Sequence, residues 1–377
     1  MQPIKTILPP QTIGIIGGGQ LGRMMAIAAR YMGYRIVVLD PAPNCPAAQV
    51  ADGQITADYA DLSAVKQLIE QADVITYEFE NVDLDAAELI QNAGKLPQGA
   101  LALEVTQTRE KEKQLITDLD LPVPEFRIVK TEEACKEALA AIPLPAVIKT
   151  CRGGYDGKGQ LKLTTEEDKK DALVFFGEHG YCIIERWIPF DKEISVVFSR
   201  SQEGNITFFP IAENEHRDHI LYQTTVPATI DAALRDKACA MTAKVAEQMN
   251  IVGTFAIEMF VDEDMIYMNE MAPRPHNSGH YTIEGCNVSQ FAQHIRAICG
   301  LPLIPVSLHQ PTAMINILGE SLPKAIKFTV NHNFGFLHLY GKDEPKKKRK
   351  MGHATFTAET MEALRKQLDN FKEATQS

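Results

Sequence analysis

Residues 12–17 (TIGIIG) form a β-branched run, and glycines at 17, 18, 19 and 22 follow it directly. Residues 20–31 then carry helical spacing, with Leu21, Met24, Met25 and Ala28 on one face. Gly33 ends that segment, and a second short run, 35–39 (RIVVL), stops at Asp40. This order reads as a β-α-β unit of a parallel sheet. A helix near 61–72 and a strand at 73–76, running into Tyr77, Glu78, Phe79 and Glu80, repeat it. The first hundred residues therefore predict an open α/β layer.

The spacing Gly17-x-Gly19-x-x-Gly22, with Asp40 ending the next strand, has the form of a dinucleotide fingerprint. Its physics is more general, because a helix N-terminus with glycines before it accepts any phosphate. A nicotinamide cofactor, another phosphorylated ligand and a purely structural turn all fit, and the polar Gln20 favours a ligand over packing.

After residue 105 the texture changes. One charged helix is predicted across 106–119, ended by Pro122 and Pro124. Strands are predicted at 146–150, 160–164, 182–185 and 192–199, and a helix at 231–249. A hairpin is predicted from 253–261 and 265–270, closed by three residues, Asp262, Glu263 and Asp264. A helix at 287–299, strands at 312–318 and 334–340 and an amphipathic helix at 358–373 complete the reading. The expected division is 1–105, 106–190, 191–310 and 311–377.

Four further segments carry chemistry. Residues 152–159 (RGGYDGKG) hold four glycines between two strands, with Lys149 before them and Lys158 within. Such a loop can fold over an anion with its N–H groups while the lysines add charge. It is not a Walker A loop, so a mobile phosphate lid is the preferred reading over a plain turn. A three-residue hairpin places Glu258 and Glu270 on one face, otherwise apolar through Ala256, Phe260, Ile266 and Met268. Two carboxylates there repel and lose hydration, and bound magnesium would relieve both problems. The rival reading pairs one of them with a base such as Arg274. Residues 271–280 (MAPRPHNSGH) follow at once and offer Arg274, His276, Asn277 and Ser278 to a small oxyanion.

The last segment is the run Lys346, Lys347, Lys348, Arg349 and Lys350. The chain of 377 residues carries 38 basic and 49 acidic residues, a net charge of -11. Setting those five aside leaves 33 basic against 49 acidic residues. That balance speaks against nucleic acid or an anionic membrane as partner. The run has the form of a nuclear targeting peptide, yet a solvated turn is its commonest fate. We assign Lys346 to Lys348 to such a turn, and Lys342 and Arg349 to a phosphate clamp. Seven cysteines without a C-x-x-C pair suggest reduced thiols and a cytoplasmic protein. Residues 1–11 lack the apolar core of a signal peptide, and no run is long enough to span a membrane.

Taken together, the strings GGGQLGRM (17–24), TYEFENV (76–82), CRGGYDGKGQ (151–160), NEMAPRPHNSGH (269–280) and KKRKMGH (347–353) resemble the ATP-grasp ligases. Within them they are most similar to the branch that carboxylates aminoimidazole ribonucleotide in purine biosynthesis. The resemblance spans about 12 to 353. It implies an N-terminal α/β domain, a lid, and a central antiparallel-sheet domain with a small C-terminal extension. It implies that ATP touches Arg109, Lys149, Gly154, Tyr155, Asp156, Gly157, Lys158, Gly159 and Gln160. Further along it adds Glu185, Arg186, Trp187, Ile188, Glu193, His216, Asn269 and Glu270, although Trp187 read alone suits packing better than stacking. Magnesium, or manganese in its place, would sit on Glu258 and Glu270. The family often has an Asn two residues after the second Glu; here that position is Ala272, so Asn269 or water would serve.

The implied reaction joins ATP, bicarbonate and aminoimidazole ribonucleotide through carboxyphosphate, without biotin. Arg274, His276, Asn277 and Ser278 would hold the carboxyl-derived oxyanion, with Tyr155 and Asp156 meeting the ribonucleotide. Gln20, Leu21, Glu78, Lys342 and Arg349 would bind that nucleotide. Asp156 and His276 are both candidates for the base, and a homodimer is expected. The alternatives are a formate-activating sister ligase acting on glycinamide ribonucleotide, biotin carboxylase, a nicotinamide oxidoreductase and a nuclear-targeted binding protein.

Overall fold

The computed structural model describes residues 6–154 and 159–376. Tyr155, Asp156, Gly157 and Lys158 lie outside the described residues. Among the described residues no helix is long and apolar enough to cross a membrane.

The strands at the N-terminus are β1 (Thr12–Ile16), β2 (Arg35–Leu39), β3 (Gly53–Ile55) and β4 (Val74–Tyr77). They form a parallel sheet in the order β3-β2-β1-β4. Its strands read as near-continuous apolar runs because helices cover both faces. Helix Gln20–Tyr31 buries Leu21, Met24 and Met25 as its spacing predicts. Gly18 sits where a side chain has no room: an added Cβ would lie 2.1 Å from Cys45 Sγ and 2.9 Å from Asp40 Cγ. Gly18→Ala is therefore expected to lower the thermal unfolding midpoint, with a loss of ~1–3 kcal/mol. An unchanged midpoint would show that the junction yields easily.

A second sheet holds β5 (Phe126–Val129), β6 (Ala146–Thr150), β7 (Gln160–Leu163) and β8 (Cys182–Arg186), in the order β5-β8-β6-β7. Its inner face, with Ile148, Leu163, Cys182 and Ile184, packs on helices Glu132–Ala141 and Asp168–His179. Alternation then turns Val147, Lys149 and Glu185 outward, toward a third and larger sheet.

That sheet contains β9 (Lys192–Arg200), β10 (Ile206–Phe208), β11 (Ala212–Arg217), β12 (Ile220–Val226), β13 (Gly253–Asp262) and β14 (Met265–Ala272). It continues through β15 (Thr312–Leu318), β16 (Phe336–Leu339) and β17 (Lys350–Thr357). The order is β14-β13-β9-β11-β12-β15-β17-β16, all antiparallel, with β10 on β9. The strands after residue 310 thus extend the central sheet, yet they pack with helices Leu322–Asn331 and Met361–Gln376 around a separate apolar cluster.

The helix expected across 106–119 is two helices, Ala100–Thr106 and Arg109–Asp118. The break has a cause: the Arg109 N–H donates to the Cys151 carbonyl at 3.0 Å, which ties the second helix to the start of the glycine-rich loop.

Candidate active site

The carboxylate hairpin does not close as its sequence suggests. Asp262 faces Met265, so the turn has two residues, Glu263 and Asp264, with Glu263 at a φ of 51°. That register alone would set Glu258 against Asn269 and turn Glu270 to the opposite face. A β-bulge corrects it: Glu258 pairs with Glu270 and Met259 with Met268, leaving Asn269 as the extra residue. The bulge places two consecutive side chains, Asn269 and Glu270, on the cleft side. The shared face of Glu258 and Glu270 stands, but for a different reason than the one the sequence suggested. Ile266 and Met268 do not belong to it; they are buried in the core on the other side with Val261 and Met259.

Between this floor and the outward face of β6 and β8 lies a cleft of ≈ 270 Å³. Arg109, Lys149, Gly154, Gln160, Glu185, Arg186, Trp187, Ile188, Glu193, His216, Glu258, Asn269, Glu270, His276 and Asn277 all line it. Trp187 is half-buried, with Lys162 Nζ 3.7 Å from its ring centre. Gly159 lies at the end of β7, its carbonyl accepting from the Thr150 N–H at 2.8 Å.

The charges are coupled across the cleft. Glu258 is 8% exposed, and burial and the Glu270 charge push its carboxyl up to about 8. Glu193, His216 and Glu258 bring ligand atoms within 4.8 Å of one another. Glu193 Oε2 lies 2.7 Å from His216 Nδ1, and although burial lowers the His216 pKa, that carboxylate raises it overall. A hard divalent cation suits this oxygen-rich set, and Glu193 offers a ligand where Ala272, buried in an apolar cluster, cannot. On the lid side Lys149 Nζ lies 2.5 Å and Lys113 Nζ 3.1 Å from the two oxygens of Glu185. Burial would raise the Glu185 carboxyl, but Lys113, Lys149 and Arg109 together hold it well below the usual range.

Several expected contacts differ. Arg274 does not offer a free fork to an oxyanion: its Nε and Nη2 meet Glu80 Oε2 at 2.9 and 2.8 Å, joining the site to the N-terminal domain. Ser278 is fully buried, so it supports the site from beneath. Thr224 donates to Asn214 Oδ1, Asn214 Nδ2 to Ser195, and Ser195 to the Ser278 hydroxyl. The Ser278 hydroxyl lies 2.9 Å from His276 Nδ1. Assigned from this donor order, Nδ1 accepts and the ring proton sits on Nε2, 3.7 Å from Glu258 Oε1. Burial and the Arg274 charge push the His276 pKa well below its ordinary value. His276 therefore presents a neutral ring with its Nε2–H on the Glu258 side.

The N-terminal glycines also have an unexpected partner. Glu78 accepts from the Gly19 and Gly22 N–H groups, the latter at 2.6 Å, and Asp40 accepts from Gly18 at 2.7 Å. The protein's own carboxylates thus occupy the place a dinucleotide phosphate would take, and the nicotinamide reading loses its support. Leu21 is buried in the core, so only its main chain could meet a ligand. Lys342 donates to the Lys350 carbonyl and Arg349 to the Glu344 carbonyl; neither lines the cleft, whereas Lys350 does. Lys346 and Lys348 are exposed and pair with Glu344 and Asp218, as a solvated turn would.

Sequence reasoning missed Lys113, Glu112, Lys350 and the stacking of Phe190 on Phe260, ring centres 4.5 Å apart, at the cleft wall. Two signals were present. Lys113 and Glu112 follow Arg109 by four and three residues on one helix, and Phe260 alternates with Glu258 on one strand.

Two sheets enclosing a cleft, with paired carboxylates on one and an anchored lysine on the other, define the ATP-grasp class. Residues 114–291 match the ATP-grasp domain, 10–107 the ribonucleotide synthetase preATP-grasp domain, and 312–367 the phosphoribosylaminoimidazole carboxylase C-terminal domain. The chain is 48% identical over 353 residues to N5-carboxyaminoimidazole ribonucleotide synthase of Bacillus subtilis, covering 93% of each. It is 43% identical to the Staphylococcus aureus protein of that name, covering 91% of this chain and 92% of that one. A solved N5-carboxyaminoimidazole ribonucleotide synthetase in complex with ADP superposes with a TM-score of 0.95 at 47% identity, covering 99% of this chain and 100% of that one. The Aspergillus clavatus enzyme, solved with ADP and 5-aminoimidazole ribonucleotide, gives 0.91 at 30% identity, covering 97% and 98%. The chain belongs to the N5-carboxyaminoimidazole ribonucleotide synthase family of ATP-grasp ligases.

Proposed function

We propose that the chain uses ATP and bicarbonate to carboxylate the 5-amino group of 5-aminoimidazole ribonucleotide, releasing ADP and phosphate. The observation that carries this reading at the level of the site is the facing of Glu258 and Glu270 beneath Lys149 in a cleft of the family's shape. Bicarbonate is a poor electrophile. Transfer of the γ-phosphoryl group to one of its oxygens breaks the β–γ P–O bond and makes carboxyphosphate. Either the amine attacks the carboxyl carbon and phosphate departs with the former C–O electrons, or phosphate departs first and the amine adds to the CO2 left in place; both routes form the C–N bond, and the nitrogen loses a proton.

Glu258 and Glu270, with Glu193 beside them, would hold magnesium or manganese, which neutralises charge on the transferring phosphoryl group and its neighbour. Lys149, fixed by Glu185, presents its ammonium to the phosphates, and Arg109 adds a guanidinium from beside Glu270. The Nε2–H of His276 and the side-chain amide of Asn277, whose atoms are buried without a protein partner, face the carboxyl-derived oxygens. Gln20, Glu78, Lys342 and Arg349 are assigned to the ribonucleotide, as are Tyr155 and Asp156. The seven free cysteines, six of them buried, suit a reducing cytoplasm, and a homodimer is the proposed state.

The test is ADP release in the presence of magnesium and bicarbonate. Aminoimidazole ribonucleotide should stimulate it strongly. Stimulation by glycinamide ribonucleotide with formate instead would transfer the chain to the sister ligase.

A further inference from the structure

β14 is the outer edge of the nine-stranded sheet, so its outward N–H and C=O groups need partners from elsewhere. The helix Arg109–Asp118 and the segment after it supply them. The Met268 N–H donates to the Pro122 carbonyl at 2.9 Å, and the Met271 N–H to Glu112 Oε1 at 2.5 Å. On a regular edge, outward N–H groups recur every second residue; here they are three apart, because Asn269 is the bulged residue between them. The carbonyl of Asn269 is itself taken by Lys113 Nζ at 2.8 Å. Glu112 is 3% and Lys113 0% exposed, so neither serves the surface.

We infer that Glu112 and Lys113 are positioning residues for the cation: they clasp the bulge on both sides and so hold Asn269 and Glu270 together toward the cleft. Without the clasp, the extra residue can migrate along the edge strand, and once it passes Glu270, away from the turn, Glu258 faces Asn269 and Glu270 turns to the opposite face. Lys113 performs a second task with the same ammonium, since it also holds Glu185 and through it Lys149. The inference rests on the assignment of the cation to Glu258 and Glu270.

The experiment measures Mn2+ binding to the ADP complex by the paramagnetic resonance of the free ion, beside the KM values of the full reaction. Glu112→Leu is expected to weaken Mn2+ binding about tenfold, the usual scale for a residue that orients a ligand. Glu112→Gln keeps an acceptor oxygen and should bind as the parent does. Should the leucine variant fail to fold, Glu112→Asp decides: it keeps the charge but withdraws the carboxylate by about 1.5 Å, and should show the same weakening. Lys113→Met is expected to raise the KM for ATP as well, while the KM for aminoimidazole ribonucleotide stays unchanged in every variant. Parental Mn2+ binding by the Leu or Asp variant, with binding lost in Glu270→Gln, would overturn the clasp and leave the cation site standing. Parental binding by Glu270→Gln as well would remove both.

Discussion

Glu270→Gln is expected to lose on the order of 10²–10³-fold in ATP turnover while unfolding at a midpoint close to that of the parent. Its side chain is 45% exposed and its ion pair with Arg109 Nη1, at 3.5 Å, is long, so a glutamine of equal size fits without strain. What disappears is a negative charge facing Glu258. The companion variant separates function from stability more sharply. Glu258 has an ordinary value of 4.5 and is pushed up to about 8 by burial and by the Glu270 charge. In the cation-free protein it keeps a proton that the unfolded chain has already released. The stability linked to that proton is present below the unfolded value and is lost as pH rises through the folded one. Glu258→Gln has no such proton to lose. Melts in EDTA should therefore show it gaining on the parent from about pH 5 upward, by on the order of a few kcal/mol at pH 8. The same protein should be inactive. An active Glu258→Gln, or one that gains nothing at pH 8, would contradict the shared cation site.

The legible part of this molecule is the part written in local spacing. The β-α-β start, the strands β6, β7 and β8 and the helix Ala232–Gln248 follow from periodicity and stops. The helices Glu132–Ala141 and Leu322–Asn331 carry local signals as well: the first has a Thr131 cap on the Ala134 N–H, the second a proline in its first turn. The bulge at Asn269 was not within reach. Nothing in the hairpin's own residues distinguishes a three-residue turn from a two-residue turn with a bulge. The choice is made by Glu112 and Lys113, some 160 positions earlier, which satisfy the edge only in the bulged register. The same holds for the glycine loop. Its spacing announces an anion, and only the fold reveals that Glu78 and Asp40 supply it. Arg274 offers a parallel case, since its partner Glu80 belongs to another domain.

Lys149→Met should lower kcat/KM for ATP on the order of 10²–10³-fold, and the pH profile should identify the cause. The variant has a physical reason to fold: Glu185 keeps Lys113 on its other oxygen at 3.1 Å, so no buried carboxylate is left alone. Burial lowers the Lys149 pKa, Glu185 only partly restores it, and Arg109 and Lys113 lower it further. In the free protein its proton therefore leaves below the ordinary lysine value of about 10.4. As pH rises through that lowered value, the positive charge offered to the phosphates vanishes and kcat/KM for ATP must fall. Stability moves the other way. Over that window the unfolded chain binds more protons than the native one, so folding becomes more favourable as pH rises. An alkaline loss of activity in a protein that is growing more stable cannot be unfolding. Lys149→Met has no proton to lose there, so its much lower kcat/KM should run flat across the window where the parent declines. A parental decline that persists in Lys149→Met would assign the titration to another group and leave this lysine with a purely structural part.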